Sequence, residues 1–287
     1  MTPDRTPALS RATVDRDAAT REDAAALARA WETAKVLVVD NGTALISDDG
    51  PALVLVDAAD APEGERLYLG RDEGTSYFAV AARLPRRIGA RPLGLREVGA
   101  LLDDRDAGLL VHAVGLANWH TAHPCCARCG APTEVARGGS IRRCPVDGSE
   151  HFPRTDPAVI MLVTDGGDRC VLGRQPMWPA GRYSTLAGFV EPGESAEQAV
   201  VREVAEETGL RVRDVIYRGS QPWPFPASLM LGFRAVCDGD AVPVPRDGEL
   251  DDARWFTKDE LRTQTGALLP TPVSIAWRLI TDWLDGV

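Results

Sequence analysis

The order of strand and helix signals along this 287-residue chain predicts an α/β fold in layers, preceded by a mixed α+β region and a small cysteine-bearing module. Three observations carry that expectation. An uninterrupted apolar, partly β-branched run at residues 158–164 suits a buried strand, and residues 169–174 follow as its hairpin mate. A helix is expected at residues 195–208, with Ser195 as N-cap, Gln198 closing a capping box, and Gly209 where a left-handed C-terminal residue belongs. Just ahead of these elements, four of the six cysteines (Cys125, Cys126, Cys129 and Cys144) fall within twenty residues.

The chain is long for one core, so two domains plus a small module are expected, divided as residues 1–118, 119–153 and 154–287. Hydrophobic residues make up 44%, enough for packed interiors. A net charge of −10 argues against indiscriminate binding to nucleic acid or to an anionic membrane surface. No apolar stretch approaches bilayer-spanning length, so no membrane partner is expected. Residues 1–23 are rich in Thr, Asp, Arg and Ala and lack the apolar centre of a secretory signal. A frayed, solvated terminus and a cytoplasmic protein are expected. In a reducing compartment, clustered cysteines point to a metal and not to disulfides.

In the first region a short helix is expected at residues 24–31, then a strand at 35–40 that turns at Asn41-Gly42 into 44–47. Further strands are expected at 51–56 and 76–83, and helices at 95–102 and 107–119 from the recurring Leu and Val spacing. Arg96 reads as a solvated helix arginine, with a contact to substrate phosphate or ribose as the alternative, and His112 reads as a packing residue. The middle region carries the cysteines, with Gly138-Gly139 as a hairpin tip. Beyond the Asp156-Pro157 breaker, further strands are expected at 184–190, 212–217, 229–237 and 253–256. Thr257 and Glu260 have capping-box spacing, and residues 273–284 should form an amphipathic helix.

The helix at 195–208 concentrates the chemistry. Glu203, Glu206 and Glu207 stand at i, i+3 and i+4, so one face carries all three. Val200, Val201, Val204 and Ala205 can supply the buried side. Three like charges on adjacent turns repel one another, and a hard divalent cation such as Mg²⁺ or Mn²⁺ would offset that repulsion. Arg202 can orient a carboxylate through a forked pair. A solvated acidic face is the equal alternative for these residues alone. The wider string is Gly188, five residues, Glu194, seven residues, Arg202-Glu203-Val204, one residue, Glu206-Glu207, one residue, Gly209-Leu210. It resembles the complete Nudix box. The resemblance implies a Nudix α/β/α sandwich and hydrolysis of a nucleoside diphosphate linked to another moiety. It implies Glu203 and Glu207 as principal metal ligands, Glu206 assisting, and the Ala187 carbonyl as a further ligand. Glu206 and Glu207 both remain candidates for general base. Glu194 is expected to shape the loop or reach an outer metal.

Downstream lies Ser220-Gln221-Pro222-Trp223-Pro224-Phe225-Pro226-Ala227-Ser228. Alternating prolines make this segment stiff and poor at sheet pairing. It can present rings on which nicotinamide or adenine could stack, or it can be a surface loop with aromatics anchored in the core. The string resembles the signature of NADH pyrophosphatases, placed after the Nudix box as in that family. By resemblance, Gln221 through Ser228 contribute to dinucleotide binding. Glu249 resembles a further metal-binding glutamate, with an exposed loop acid as the alternative. Ala276 matches a substrate contact made through the backbone.

Cys126-Ala127-Arg128-Cys129 and Cys144 resemble the zinc ribbon that precedes the catalytic domain in these enzymes. The second knuckle departs from the pattern, with Asp147 where another cysteine is expected. Three readings stay open: Asp147 is the fourth ligand, His151 completes a Cys3His site, or the metal is lost and packing alone maintains the ribbon. Zinc here would be structural. Cys170 and Cys237 read as small buried apolar residues.

No Ser/His/Asp or Cys/His nucleophile system is apparent, and no GxGxxG sits between a strand and a helix, so redox use of NAD is not expected. The expected function is release of NMN(H) and AMP from NAD(H), extending to removal of NAD caps from RNA 5′ ends. The alternatives are a broader ADP-ribose or dinucleotide diphosphatase and a non-catalytic Nudix ligand sensor. A homodimer is implied by the resemblance alone.

Overall fold

The computed structural model describes residues 6–246, 248–263 and 269–287. By internal contacts the chain forms two compact units. One comprises Met1–Ala8, Asp156–Pro222 and Ser228–Val287, the other Leu9–Thr155 and Trp223–Ala227.

The second of these begins with α1 (Ala18–Glu22) and α2 (Ala24–Glu32), followed by β1 (Lys35–Asp40), β2 (Thr43–Ser47), β3 (Val56–Asp57), β4 (Arg66–Asp72), β5 (Thr75–Ala81) and β6 (Ala90–Gly94). These strands form one sheet in the order β4-β5-β1-β2-β6, with β3 on β1. The β1–β2 turn forms at Asn41-Gly42 as its residues predict, both with left-handed φ (47° and 79°). The strand expected at 51–56 shrinks to β3 plus an isolated Ile46–Leu53 bridge. Strands β4 and β6 had no sequence signal. In β4 the buried run Leu67–Leu69 is short and interrupted by a bulge between Tyr68 and Gly70. β6 carries Pro92 and pairs only with β2, the edge position where proline is tolerated.

The expected solvated terminus is also corrected, although residues 1–5 lie outside the described residues. Leu9 is 2% exposed, Asp15 bridges Arg71, and Arg11 contacts Asp104 at 2.5 Å. Arg11 Nη2 also donates to the Gly99 and Leu102 carbonyls, at 3.2 and 2.9 Å. The expected helix at 95–102 is one turn, α3 (Leu95–Val98), followed by a turn in which Leu101 N and Leu102 N both donate to Val98 O, at 2.8 and 3.1 Å. The long helix α4 (Asp104–Ala122) is capped by Asp103, which accepts from Asp106 N. The ribbon follows as a small sheet of β7 (Glu134–Ala136), β8 (Ile141–Arg143) and β9 (Glu150–His151), with Gly138-Gly139 at the β7–β8 tip as expected.

The other unit is an α/β/α sandwich. Its strands are β10 (Asp156–Thr164), β11 (Arg169–Arg174), β12 (Leu186–Phe189), β13 (Val212–Trp223), β14 (Ser228–Cys237) and β15 (Asp252–Thr257). The order is β13-β14-β10-β11-β15, with β12 on β10. Val159, Met161 and Val163 of β10 pack with Ala199, Val200 and Val204 of α5 (Ala196–Thr208). The alternate residues Ile160 and Leu162 pack with Ile275, Leu279 and Ile280. The latter belong to α7 (Ile275–Leu284), which follows α6 (Lys258–Thr263). Both faces of β10 are covered, which explains its unbroken apolar sequence. β13 runs further than expected, through Pro222 to Trp223, because it is an edge strand.

Candidate active site

Helix α5 is framed by the signals that predict it. Ser195 Oγ accepts from Gln198 N at 3.2 Å, Gln198 Oε1 accepts from Ser195 N at 2.9 Å, and Gly209 is left-handed with φ 71°. This frame places Arg202, Glu203, Glu206 and Glu207 together on the later turns. Glu207 is 4% exposed, the Glu203 side chain 13% and the Glu206 side chain 53%. The seat of Glu203 is Gly188 in β12, where a Cβ would fall 1.9 Å from Glu203 Cδ. Only a residue without a side chain lets the carboxylate lie there. Ala187 immediately precedes that contact.

Arg202 ties the acidic residues together. Its Nε and Nη2 fork onto the two Glu194 oxygens at 2.9 and 2.8 Å, and its Nη1 donates to Glu203 at 2.8 Å and to Glu206 at 3.0 Å. Nη2 also donates to the Phe189 carbonyl at 2.8 Å. Glu194 further accepts from Glu191 N at 3.1 Å, a bond that fastens the loop before α5. The Glu194 hydrogen bonds raise the Arg202 pKa, and in turn hold Glu194 below the usual carboxylate range. Burial raises the Glu203 carboxyl, Arg202 opposes that, and the charges of Glu206 and Glu249 push it up further. Glu249, itself exposed, thus lies within electrostatic reach of Glu203. Carboxylates gathered around the largely buried Glu203 are a hard oxygen donor set, and it fits a divalent cation.

The other predicted residues divide. Ala276 is not brought to the carboxylates. It packs in the cluster on the α7 side of β10, opposite α5, and its N–H is taken by Ser274 Oγ at 3.1 Å as part of the helix cap. Gln221 is fully buried and donates to Val273 O at 3.1 Å, an anchoring role. The proline–aromatic string is split, with Gln221, Pro222 and Ser228 in the sandwich unit and Trp223, Pro224, Phe225, Pro226 and Ala227 in the other. Trp223 and Phe225 meet edge to face at 4.8 Å, and Arg96 lies over Phe225 at 4.2 Å and over Trp223 at 5.2 Å. Asn118 donates to the Pro224 and Pro226 carbonyls at 2.9 and 3.3 Å. No sequence signal marks Asn118, because its partners are more than a hundred residues away.

In the ribbon, the ligand atoms of Cys126, Cys129, Cys144 and Asp147 all lie within 4.8 Å of one another, a donor set suited to a structural zinc. His151 stands outside that group, with Nε2 3.2 Å from Ser149 Oγ, so of the three open readings it is Asp147 whose carboxylate converges with the cysteines. Cys170 and Cys237 are buried, as expected.

Residues 154–276 match the family model described as the NUDIX domain, 30–119 the NADH pyrophosphatase-like rudimentary NUDIX domain, and 122–152 the NADH pyrophosphatase zinc ribbon domain. Over 295 residues the chain is 45% identical to the NAD-capped RNA hydrolase NudC of Mycobacterium bovis (strain BCG / Pasteur 1173P2), covering 96% of this chain and 94% of that protein. The chain belongs to the NADH pyrophosphatase family of Nudix hydrolases. Proteins described as NAD-capped RNA hydrolase NudC from Stutzerimonas stutzeri and Deinococcus radiodurans are 43% and 41% identical. The first covers 75% of this chain and 76% of its own length, the second 81% and 84%. Of the Nudix box, Glu203, Glu206 and Glu207 stand on α5, Glu194 in the loop before it, and Gly188 in β12. Among the described residues, no helix is long and apolar enough to cross a membrane.

Proposed function

We propose that this protein hydrolyses the diphosphate of NAD(H) to NMN(H) and AMP, and that the same site removes NAD caps from RNA 5′ ends. The observation that carries the reading is the Glu203 carboxylate laid against Gly188 and held there by Arg202. Mg²⁺ or Mn²⁺ bound at these carboxylates would neutralise the diphosphate oxygens and activate a water. Glu203 and Glu207 would hold that cation, with Ala187 O and Glu249 as further donors. Arg202 keeps Glu203 and Glu206 oriented and excludes rotamers that point away. Glu206 or Glu207 accepts the water's proton. The stiff segment from Gln221 to Ser228 recognises the dinucleotide through its rings. The reading includes a cytoplasmic homodimer and the division into residues 1–118, 119–153 and 154–287.

The test is quantification of NMN and AMP from NAD, NADH, ADP-ribose and NAD-capped RNA, with and without Mg²⁺ or Mn²⁺, for wild type and Glu207→Gln. Metal-dependent cleavage of the NAD substrates is expected. Glu207→Gln should lower kcat by about 10²–10³-fold, the scale for losing one preorganised charge-stabilising group. Faster cleavage of ADP-ribose than of NAD(H) would favour the broader diphosphatase. Binding of NAD without product would make the protein a sensor. Light scattering of the purified chain reports the dimer.

A further inference from the structure

The two turns carrying the ribbon cysteines are built alike. In the first, Gly130 N donates to Cys126 O at 2.9 Å, and Cys126 N donates to Ala131 O at 2.7 Å. In the second, Gly148 N donates to Cys144 O at 3.0 Å, and Cys144 N donates to Ser149 O at 2.9 Å. Gly130 and Gly148 have nearly the same backbone, with φ 76° and 72°. Backbone N–H groups of Arg128 and Cys129 point to the Cys126 sulfur, and those of Val146 and Asp147 to the Cys144 sulfur. The turns therefore superpose in register, and Asp147 occupies in the second the place that Cys129 occupies in the first.

The carboxylate is already aimed. Asp147 Oδ1 accepts from Ser149 N at 2.9 Å and from Ser149 Oγ at 2.5 Å, while Oδ2 faces Cys126 Sγ at 3.7 Å. Ser149 Oγ also lies 3.4 Å from Cys126 Sγ and 3.2 Å from His151 Nε2. A hydroxyl has one proton, and its shortest contact is with Asp147. With that proton given to Asp147, Ser149 Oγ can accept from the Nε2–H tautomer of His151, whose ring stands outside the group of four converging ligand atoms.

We infer that Asp147 is the fourth protein ligand of the ribbon zinc, bound through Oδ2 in a Cys3Asp site, and that Ser149 and His151 position it. Three thiolates and a carboxylate carry the same total charge as four thiolates, whereas a Cys3His site would carry one negative charge fewer. The replacement preserves the electrostatics and exchanges one soft donor for a hard one. The ion is therefore released to chelators and to acid more readily than from four thiolates.

The experiment uses the full chain as wild type, Asp147→Ala, Asp147→Cys, Ser149→Ala and His151→Gln. Zinc content, zinc affinity by competition with a chromogenic chelator, and the absorption spectrum of the Co²⁺-loaded protein are measured. Wild type should hold a single zinc ion in the ribbon. Ser149→Ala should weaken binding by roughly 10-fold, the lower end for an outer hydrogen-bond partner. Asp147→Ala should weaken it further and shift the cobalt d–d bands as water takes the fourth position. Asp147→Cys should bind more tightly, with thiolate-to-cobalt absorption higher by about one-third, as four thiolates replace three. His151→Gln should leave the cobalt spectrum unchanged. The inference is overturned if Asp147→Ala and Asp147→Cys both keep the wild-type spectrum while His151→Gln alters it. It is equally overturned if the wild-type ribbon takes up neither metal. Because Asp147→Cys retains a full ligand set, failure of Asp147→Ala to fold does not remove the test.

Discussion

Adding one methyl group at Gly188 tests how the metal-binding carboxylates are seated. In Gly188→Ala the new Cβ would lie 1.9 Å from Glu203 Cδ and 2.0 and 2.2 Å from its oxygens. Non-bonded carbon atoms rest at about 3.5–4.0 Å, so something has to retreat by roughly 1.5–2 Å. The backbone on both sides is committed. Gly188 is paired with Val159 in the sheet, and α5 is fixed by caps at both ends. The part that yields is the Glu203 side chain, which must leave its 2.8 Å contact with Arg202. Misplacing a positioned group by ~1 Å can cost about 10²-fold, so kcat for NAD should fall by roughly 10²-fold or more. The Mg²⁺ concentration for half-maximal rate should rise. Stability should stay within about 1 kcal/mol, because the displaced carboxylate reaches water and its repulsion with Glu206 is relieved. Steady-state product analysis over a Mg²⁺ titration, with thermal unfolding alongside, measures both. Since the two changes act on one carboxylate, adding Glu203→Gln to Gly188→Ala should lower kcat little further. A Gly188→Ala enzyme with kcat within about twofold of wild type and unaltered metal dependence would refute the seating argument.

Other consequences follow from the same geometry. Arg202→Lys cannot fork onto Glu194 while holding Glu203 and Glu206, so it should lower kcat by about 10-fold or more and lower the melting temperature. Glu206→Gln removes the charge of one partner but keeps an acceptor for Arg202, and should change the melting temperature less. Asn118→Ala deletes the donor that holds the Pro224 and Pro226 carbonyls. KM for NAD should rise severalfold with a smaller change in kcat, and hydrogen exchange around residues 223–227 should speed up. Burial depresses the pKa of His112, to about 3, and of His120. Their folded-state pKa values lie below the unfolded value of about 6.5, so the stability they contribute is complete above that pH and is lost as pH falls toward the folded values. In urea unfolding measured from pH 7 to 4, the acid-side slope should be shallower for His112→Asn than for wild type.

Much of the sandwich is legible because its signals are local. The β10–β11 hairpin, the caps of α5 and the Thr257–Glu260 box depend on neighbours within a few residues, and each forms as expected. β4 and β6 escape notice for the opposite reason. They are strands only because β5 and β2 lie beside them, and a bulge in one and a proline in the other blur the alternation that would mark them. The ordered terminus is a third case. Arg11 looks like solvated charge in a polar segment, and its structural role comes from partners about ninety residues away, Asp104 and the carbonyls of Gly99 and Leu102.

The site divides along the same line. Helical spacing alone puts Glu203, Glu206 and Glu207 on one face, but it does not separate a cation site from a solvated acidic face. Gly188 separates them: a solvated acid has no need of a glycine from another element beneath it. The second ribbon turn shows how an ambiguity between two residues is removed. Spacing admits both Asp147 and His151, since each can reach a metal from a flexible loop. Once Gly148 and Ser149 reproduce the bonds that Gly130 and Ala131 make in the first turn, the loop has no freedom left. Asp147 then points inward because Cys129 does, and His151, engaged with Ser149, is left to steer the carboxylate. Backbone hydrogen bonds, more than side-chain identity, select the ligand there.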